Sequence, residues 1–145
     1  GQYLNSLLAT REAKEKGFEE ALLPDLHGNV SEGAGENVFA VSGGALRTPG
    51  LDSSILPGIT RDAVMRLARD LGVPASEGIL TRDDLFGADE VFFTGTAAEV
   101  SPVREIDGYV VGSGRRGPIT ERIQSLFFRA VRGEEPKYRE WLTPL

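Results

Sequence analysis

Two carboxylates stand among very small residues in the segment SEGAGEN, residues 31–37. Neighbours of this size cannot cover Glu32 and Glu36, so a ligand or another stretch of backbone can approach them closely. A two-carboxylate hydrolase and a divalent-metal loop both use carboxylates in this way. A glycine-rich bend with two solvated glutamates accounts for the same residues, and the segment alone does not separate these interpretations.

Two further segments carry residue types that bind anions. The segment LPGIT, residues 56–60, runs into a helix, where free backbone N–H groups and the Thr60 hydroxyl collect at the positive end of the helix dipole. The segment TGTAAE, residues 94–99, ends an apolar strand and can present N–H groups and a hydroxyl to a second anion. The plainer alternatives are a helix cap at Thr60 and an ordinary strand end.

A third glycine-rich segment has the G-x-G-x-x-G spacing of dinucleotide-binding loops, at Gly112, Gly114 and Gly117. A dinucleotide-binding unit needs a second parallel strand after the helix, but residues 134–144 are polar and contain prolines. A simple connection from a hairpin to a helix fits this segment better.

Composition removes several classes of chemistry. The 145 residues include no cysteine and one histidine, His27, which excludes disulfides, thiolate zinc sites and multi-histidine metal sites. A formal net charge of −6 disfavours nucleic acid as a partner. With 40% hydrophobic and 26% charged residues and no apolar run near the length of a membrane span, the sequence predicts one soluble, globular domain.

The first half of the chain predicts strands between two helices. A helix opens with Leu4 and ends near Gly17, residues 20–26 form a strand, and residues 38–41 and 45–47 form a hairpin around Gly43 and Gly44. Thr60 is the predicted N-cap of the next helix and Gly72 its C-cap. The apolar face of that helix comprises Ala63, Val64, Leu67, Ala68 and Leu71.

The second half repeats the alternation. Residues 90–94 predict a buried strand, and residues 100–106 and 109–111 predict two strands joined by a type I′ turn at Asp107 and Gly108. Pro118 opens a final helix that stops at Gly133. Its predicted apolar face comprises Ile119, Ile123, Leu126, Phe127, Ala130 and Val131. Mixed strands and helices favour an α/β or α+β fold.

Taken together and in order, these segments resemble the large domain of bacterial branched-chain amino acid aminotransferases, which are fold type IV enzymes that use pyridoxal 5'-phosphate. The resemblance rests on residues 3–9, 30–37, 55–62, 88–100, 117–120 and 141–142. It implies that residues 1–145 form one cofactor-binding domain, a mixed sheet or pseudo-barrel with surrounding helices. It also explains the glycines at 112–117 as the connection into the last helix.

The resemblance implies a role for each candidate site residue. Glu32 faces the pyridine nitrogen of the cofactor and keeps it protonated, which strengthens the ring as an electron sink. Tyr3 hydrogen-bonds the phenolic oxygen, and Leu56 packs on the ring. The groups implied to bind the phosphate are those of Gly58, Ile59, Thr60 and Thr96. The backbone N–H groups of Thr96 and Ala97 would bind the substrate carboxylate.

The resemblance also implies transfer of an amino group between Leu, Ile or Val and 2-oxoglutarate. The Schiff-base lysine would lie upstream of residue 1, shortly before the Gly-x-Tyr of residues 1–3, and a small N-terminal domain would precede it. Lys14, Lys16 and Lys137 fall on predicted exposed faces or in the tail. We therefore expect this chain to be inactive alone, and the full-length protein to be a cytoplasmic homodimer or higher oligomer without nucleic-acid or membrane partners.

Two alternatives share the fold, D-amino acid aminotransferase and aminodeoxychorismate lyase. The segment GTAA at residues 95–98 and the ending at Trp141 and Leu142 suit the branched-chain enzymes better. A third alternative, from another class, is a non-catalytic binding or assembly module on the same scaffold.

Overall fold

A mixed five-stranded sheet forms the centre of the computed structural model, which describes residues 3–143. Its strand order is β5-β4-β3-β6-β7, and only the β4–β5 pair is parallel. The strands are β3 (Asn37–Ser42), β4 (Ala45–Thr48), β5 (Ala75–Glu77), β6 (Glu90–Gly95) and β7 (Glu99–Val103). The predicted β3–β4 hairpin is confirmed, because Gly43 and Gly44 both have the positive φ of a type I′ turn, 58° and 80°.

Two short hairpins flank the central sheet. Strand β1 (Leu22–Pro24) pairs with β2 (Val30–Gly33), and β8 (Glu105–Ile106) pairs with β9 (Tyr109–Val110). The strand predicted over 20–26 is thus shorter than expected. The strand predicted over 100–106 is wrong as one element, because it breaks at Arg104, whose carbonyl oxygen accepts from the N–H of Val111.

Four α-helices connect or cover these strands: α1 (Leu4–Glu15), α2 (Ile59–Asp70), α3 (Arg82–Phe86) and α4 (Pro118–Val131). One short 3-10 helix, Leu51–Ser53, precedes α2, and another, Pro136–Trp141, follows α4. Helix α3 and strand β5 were not predicted. Helix α3 has only five residues, too few to show a period, but a capping box between Thr81 and Asp84 fixes its start.

The core lies on both faces of the central sheet. One face carries α2 and α4, with Phe39 and Phe92 stacked at 5.1 Å between ring centroids. The other face packs against β2, α3 and the segment that follows β9. The predicted apolar faces of α2 and α4 are confirmed except at Ala63, which is only partly buried and belongs to neither core cluster, and at Val131, which is 45% exposed. Val131 lies in the last turn of α4.

Among residues 3–143, no helix is long and apolar enough to cross a membrane.

Candidate functional site

The carboxylate of Glu32 is held from one side only. Glu32 lies on β2, and its Oε2 accepts the backbone N–H of Leu56 at 2.8 Å and the side-chain amide of Asn37 at 3.4 Å. Burial raises the pKa of Glu32, and the Leu56 N–H partly offsets this effect. Within residues 3–143, the hydrogen bonds that Glu32 accepts with its side chain all go to Oε2, which leaves Oε1 able to accept from a ligand.

Helix α2 begins with N–H groups that no side chain caps. Its N-cap is Gly58, in an extended conformation, and Ile59 is the first helical residue. The predicted N-cap at Thr60 is therefore wrong, since Thr60 lies inside the first turn. Gly58 takes the cap position because its backbone lies against Asn37, where a Cβ would stand 2.2 Å from Asn37 Oδ1. The exposed N–H groups of the first turn remain able to bind an anion.

The segment after β6 continues from a strand end that is paired with Asn37, and Gly95 itself lies against Gly35 and Glu36. In the β3–β6 ladder Asn37 is paired with Thr94, so Gly95 and Thr96 continue from a residue adjacent to the one that touches Gly58. Thr94 is fully buried, and its Oγ1 has no hydrogen-bond partner in the described part of the chain. Thr96 and Ala97 are exposed in the turn between β6 and β7.

The structure thus brings most of the predicted site residues to one end of the central sheet. Glu32, Leu56 and Gly58 all contact Asn37. Thr96 follows two residues after Thr94, which is paired with Asn37 in the sheet. Tyr3 stands apart in the hydrogen-bond network: it is exposed at the start of α1, and no hydrogen bond of residues 3–143 joins its side chain to Glu32. The first two residues of the predicted Gly-x-Tyr lie outside the described residues.

Further carboxylates make the surroundings of Glu32 negative. Burial raises the pKa of Glu36, and the charges of Glu20 and Glu32 raise it further. Over residues 3–143, no group of three or more histidine, cysteine, aspartate or glutamate side chains is arranged to hold a metal ion. The divalent-metal alternative for residues 31–37 therefore has no support from this geometry.

The dinucleotide alternative fails at the start of α4. Glu90 on β6 is buried, and its carboxylate accepts the N–H groups of Ile119 at 3.0 Å and Thr120 at 2.7 Å. Gly117 permits this approach, since a Cβ there would lie 2.1 Å from Glu90 Cδ. The N–H groups that a pyrophosphate would need are already occupied, which supports the interpretation of residues 112–117 as a connection.

Asn37 is the site residue that sequence reasoning missed. It stands inside the segment 31–37, directly before the predicted strand of residues 38–41, and no role was predicted for it. The available signal was an amide directly before the apolar run of residues 38–41, where a buried polar group needs partners.

Comparison with known proteins identifies the family. Residues 1–106 match the family model described as amino-transferase class IV. The chain belongs to the class IV aminotransferases. The branched-chain-amino-acid aminotransferase of Salmonella typhimurium is 52% identical over all 145 residues, which span 47% of that protein. The probable branched-chain-amino-acid aminotransferase of Aquifex aeolicus is 49% identical, again over 47% of its length.

Solved structures of the family have the same fold. The branched-chain aminotransferase from Thermoproteus uzoniensis with norvaline has a TM-score of 0.94 at 51% identity and covers 98% of this chain and 47% of its own. A second branched-chain amino acid aminotransferase, complexed with N-(5'-phosphopyridoxyl)-L-glutamate, has a TM-score of 0.94 at 49% identity, covering 97% and 48%. The predicted fold class is confirmed. The chain spans about half the length of these class IV relatives.

Proposed function

We propose that residues 1–145 are the cofactor-binding large domain of a pyridoxal 5'-phosphate-dependent aminotransferase that acts on Leu, Ile or Val and 2-oxoglutarate. The observation that carries this proposal is the position of the Glu32 carboxylate, bonded through Oε2 to the Leu56 N–H, close to the start of α2, which no N-cap side chain caps. The names of relatives about 50% identical over the whole chain support the choice of substrate.

The residues present fit the proposed cofactor. A phosphorylated pyridine needs an anion site at one end and a carboxylate near its ring nitrogen. The first turn of α2 supplies donors for the phosphate, and Glu32 Oε1 remains able to accept from the ring. Directly before Gly95 and Thr96, the buried Thr94 Oγ1 has no hydrogen-bond partner within residues 3–143.

The proposed roles of this chain's residues follow from that fit. Bound pyridoxal phosphate supplies an electron sink for the carbanion at the substrate Cα. Glu32 holds a proton at the pyridine nitrogen, and Leu56, 58% exposed, offers an apolar surface to the ring. The donors proposed for the phosphate come from Gly58, Ile59, Thr60 and Thr96. Thr96 and Ala97 are proposed to bind the substrate carboxylate through backbone N–H groups, and Tyr3 to donate to the phenolic oxygen.

The lysines of this chain do not supply the amine that the reaction needs. Lys16 pairs with Glu12 on α1, and Lys137 pairs with Asp70 at 2.7 Å. Lys14 is exposed on α1. We therefore assign the Schiff-base lysine and the small domain to the part of the longer protein that the relatives contain and this chain does not span. The cytoplasmic location and the homo-oligomer also stay predictions.

The experiment is expression of the full-length protein that contains this chain, followed by absorbance of the bound cofactor and assay with leucine and 2-oxoglutarate. We expect bound pyridoxal phosphate and turnover of leucine, isoleucine and valine. Turnover of D-alanine, or lyase activity on aminodeoxychorismate, would favour the corresponding alternative. A full-length protein without cofactor would favour the non-catalytic module.

A further inference from the structure

We propose that Asn37 is a positioning residue, which fixes the Glu32 carboxylate relative to the start of α2. This role rests on the proposed function, because it concerns how the carboxylate and the phosphate-binding helix start are held at the correct separation for one cofactor. Asn37 is not proposed to touch the substrate or to take part in proton transfer.

The Asn37 amide contacts both Glu32 on β2 and Leu56 in the loop before α2. Without it, a single hydrogen bond from the Leu56 N–H would join these two residues. Asn37 is 6% exposed, and its Nδ2 donates to Leu56 O at 2.9 Å and makes the longer contact of 3.4 Å to Glu32 Oε2. An amide nitrogen carries two hydrogens, so it can serve both acceptors at once. Because the Leu56 N–H also donates to Glu32, the three groups form a closed ring of contacts.

The other end of the same amide faces helix α2. A Cβ at Gly58 would lie 2.2 Å from Asn37 Oδ1, which means that the Gly58 backbone rests directly against this oxygen. Asn37 therefore contacts the Glu32 carboxylate through its amide nitrogen and Gly58, the N-cap residue of α2, through its amide oxygen. A shift of the amide changes both neighbours together.

Asn37 also stands on a more rigid element than Glu32 and Leu56 do. It stands on β3, which is the middle strand of the central sheet and pairs with β4 and β6. Glu32 lies on the two-stranded β1–β2 hairpin, and Leu56 lies in the loop before α2. Because well-packed central strands open less readily than loops and hairpins, the amide transfers the rigidity of the sheet to the site.

The electrostatic surroundings make this donor matter. Burial raises the pKa of Glu32, and the charges of Glu32 and Glu20 both raise the pKa of the neighbouring Glu36. A donated hydrogen bond favours the ionised form against these effects. Replacing the amide with a carboxyl group of the same shape removes the donor and adds a like charge, so it should raise the pKa of Glu32.

The first test uses the full-length protein with ¹³C-labelled glutamate, after removal of the cofactor. The resonance of Glu32 is identified by its loss in Glu32→Gln. We expect Asn37→Asp to raise the titration midpoint of Glu32 by about one pH unit. Thr48→Val is the matched control: Thr48 is buried on β4 and donates to Val38 O at 2.7 Å, and no hydrogen bond within residues 3–143 joins it to Glu32, so the midpoint should stay unchanged.

The second test uses the full-length protein with pyridoxal phosphate. We expect Asn37→Asp to lower kcat for leucine about tenfold, with KM changed less than about twofold, because Glu32 acts on the ring and not on the substrate. The cofactor should also dissociate faster than in Thr48→Val. If Asn37→Asp does not fold, Gly58→Ala pushes a methyl group against the same amide oxygen and should move the Glu32 midpoint in the same direction.

Each outcome is decisive. An unchanged Glu32 midpoint in both variants overturns the contact, whatever the protein binds. A shifted midpoint with kcat and cofactor dissociation equal to those of Thr48→Val overturns the positioning role. A full-length protein that takes up no pyridoxal phosphate refutes the proposed function and with it this role, while the titration still reports the contact separately.

Discussion

Glu90 on β6 caps helix α4, since its Oε2 accepts both the backbone N–H of Thr120 at 2.7 Å and the Thr120 hydroxyl at 2.6 Å. An interior strand of the sheet thereby fixes the start of the last helix. The strand that carries Glu90 also ends at the candidate substrate-binding turn of Thr96 and Ala97, so the cap stabilises the support of that turn.

Replacement of this cap should destabilise the fold. Glu90→Ala leaves the N–H groups of Ile119 and Thr120 without their acceptor in a buried place, and we expect a loss of about 2–4 kcal/mol in the free energy of unfolding. Urea denaturation measures it. Glu121→Ala is the matched control, because Glu121 is exposed in the first turn of the same helix and should cost less than about 1 kcal/mol.

The threonines of the proposed phosphate site should affect binding more than folding. We expect Thr60→Ala and Thr96→Ala, each in the full-length protein, to weaken cofactor retention by about 1–3 kcal/mol. Since Thr60 is not the N-cap of α2, its loss should barely change the free energy of unfolding. Equilibrium dialysis measures the affinity, with exposed Thr143→Ala as control. Unaltered affinity in the double variant would remove both hydroxyls from the site.

The hairpin turns and the start of α2 differ in how far the sequence alone predicts them. The turns at Gly43 and Gly44 and at Asp107 and Gly108 were predictable, because their positive φ depends on neighbouring residues alone. The N-cap of α2 was not, because the contact between Gly58 and Asn37 joins residues far apart in the chain.

The candidate site likewise combines residues that the sequence points to with contacts that only the fold creates. Glu32, Gly58 and Thr96 were selected because the resemblance implies their roles, and those roles stay predictions. Their meeting at one end of the sheet depends on the β3–β6 register, which places Asn37 opposite Thr94. No local pattern contains that register, so the bridging role of Asn37 appears only in the fold. Tyr3 remains a prediction.

The carboxylate of Glu36 should lower the stability of the cofactor-free chain at neutral pH. Burial raises the pKa of Glu36 above its ordinary value of 4.5, so this carboxyl favours folding while it is protonated. That contribution is complete below pH 4.5 and is lost as pH rises through the folded-state pKa. We expect Glu36→Gln to unfold at a higher temperature than the parent chain at about pH 7. The two should converge near about pH 4, and an equal difference at both values would contradict the assignment.

The 145-residue chain alone should not catalyse transamination, even with excess pyridoxal phosphate. Covalent catalysis needs a positioned amine, and Lys16 and Lys137 are engaged in ion pairs with Glu12 and Asp70. The measurement is formation of glutamate from leucine and 2-oxoglutarate, with the full-length protein as positive control. Turnover by the chain alone would mean that the amine was placed in the wrong part of the protein.

Removal of the charge on Glu32 should slow the chemistry more than it weakens cofactor binding. Glu32→Gln keeps the size and the acceptor oxygen for Leu56 N–H, but it cannot pair with a protonated ring nitrogen. We expect the single-turnover reaction with leucine to slow about a hundredfold, as when another preorganised electrostatic contact is removed. Stopped-flow absorbance of the bound cofactor in the full-length protein measures the rate.

Glu36→Gln is the matched control for this experiment. Both residues are half-buried carboxylates of the same segment, but the Glu36 side chain turns to the N–H of Gly35, whereas Glu32 lies beside Leu56 and Asn37. Of the two carboxylates, it is Glu32 that contacts Leu56, in the loop before α2. The Glu36 variant should therefore react at nearly the parent rate. A larger defect for Glu36→Gln than for Glu32→Gln would show that the other carboxylate faces the ring.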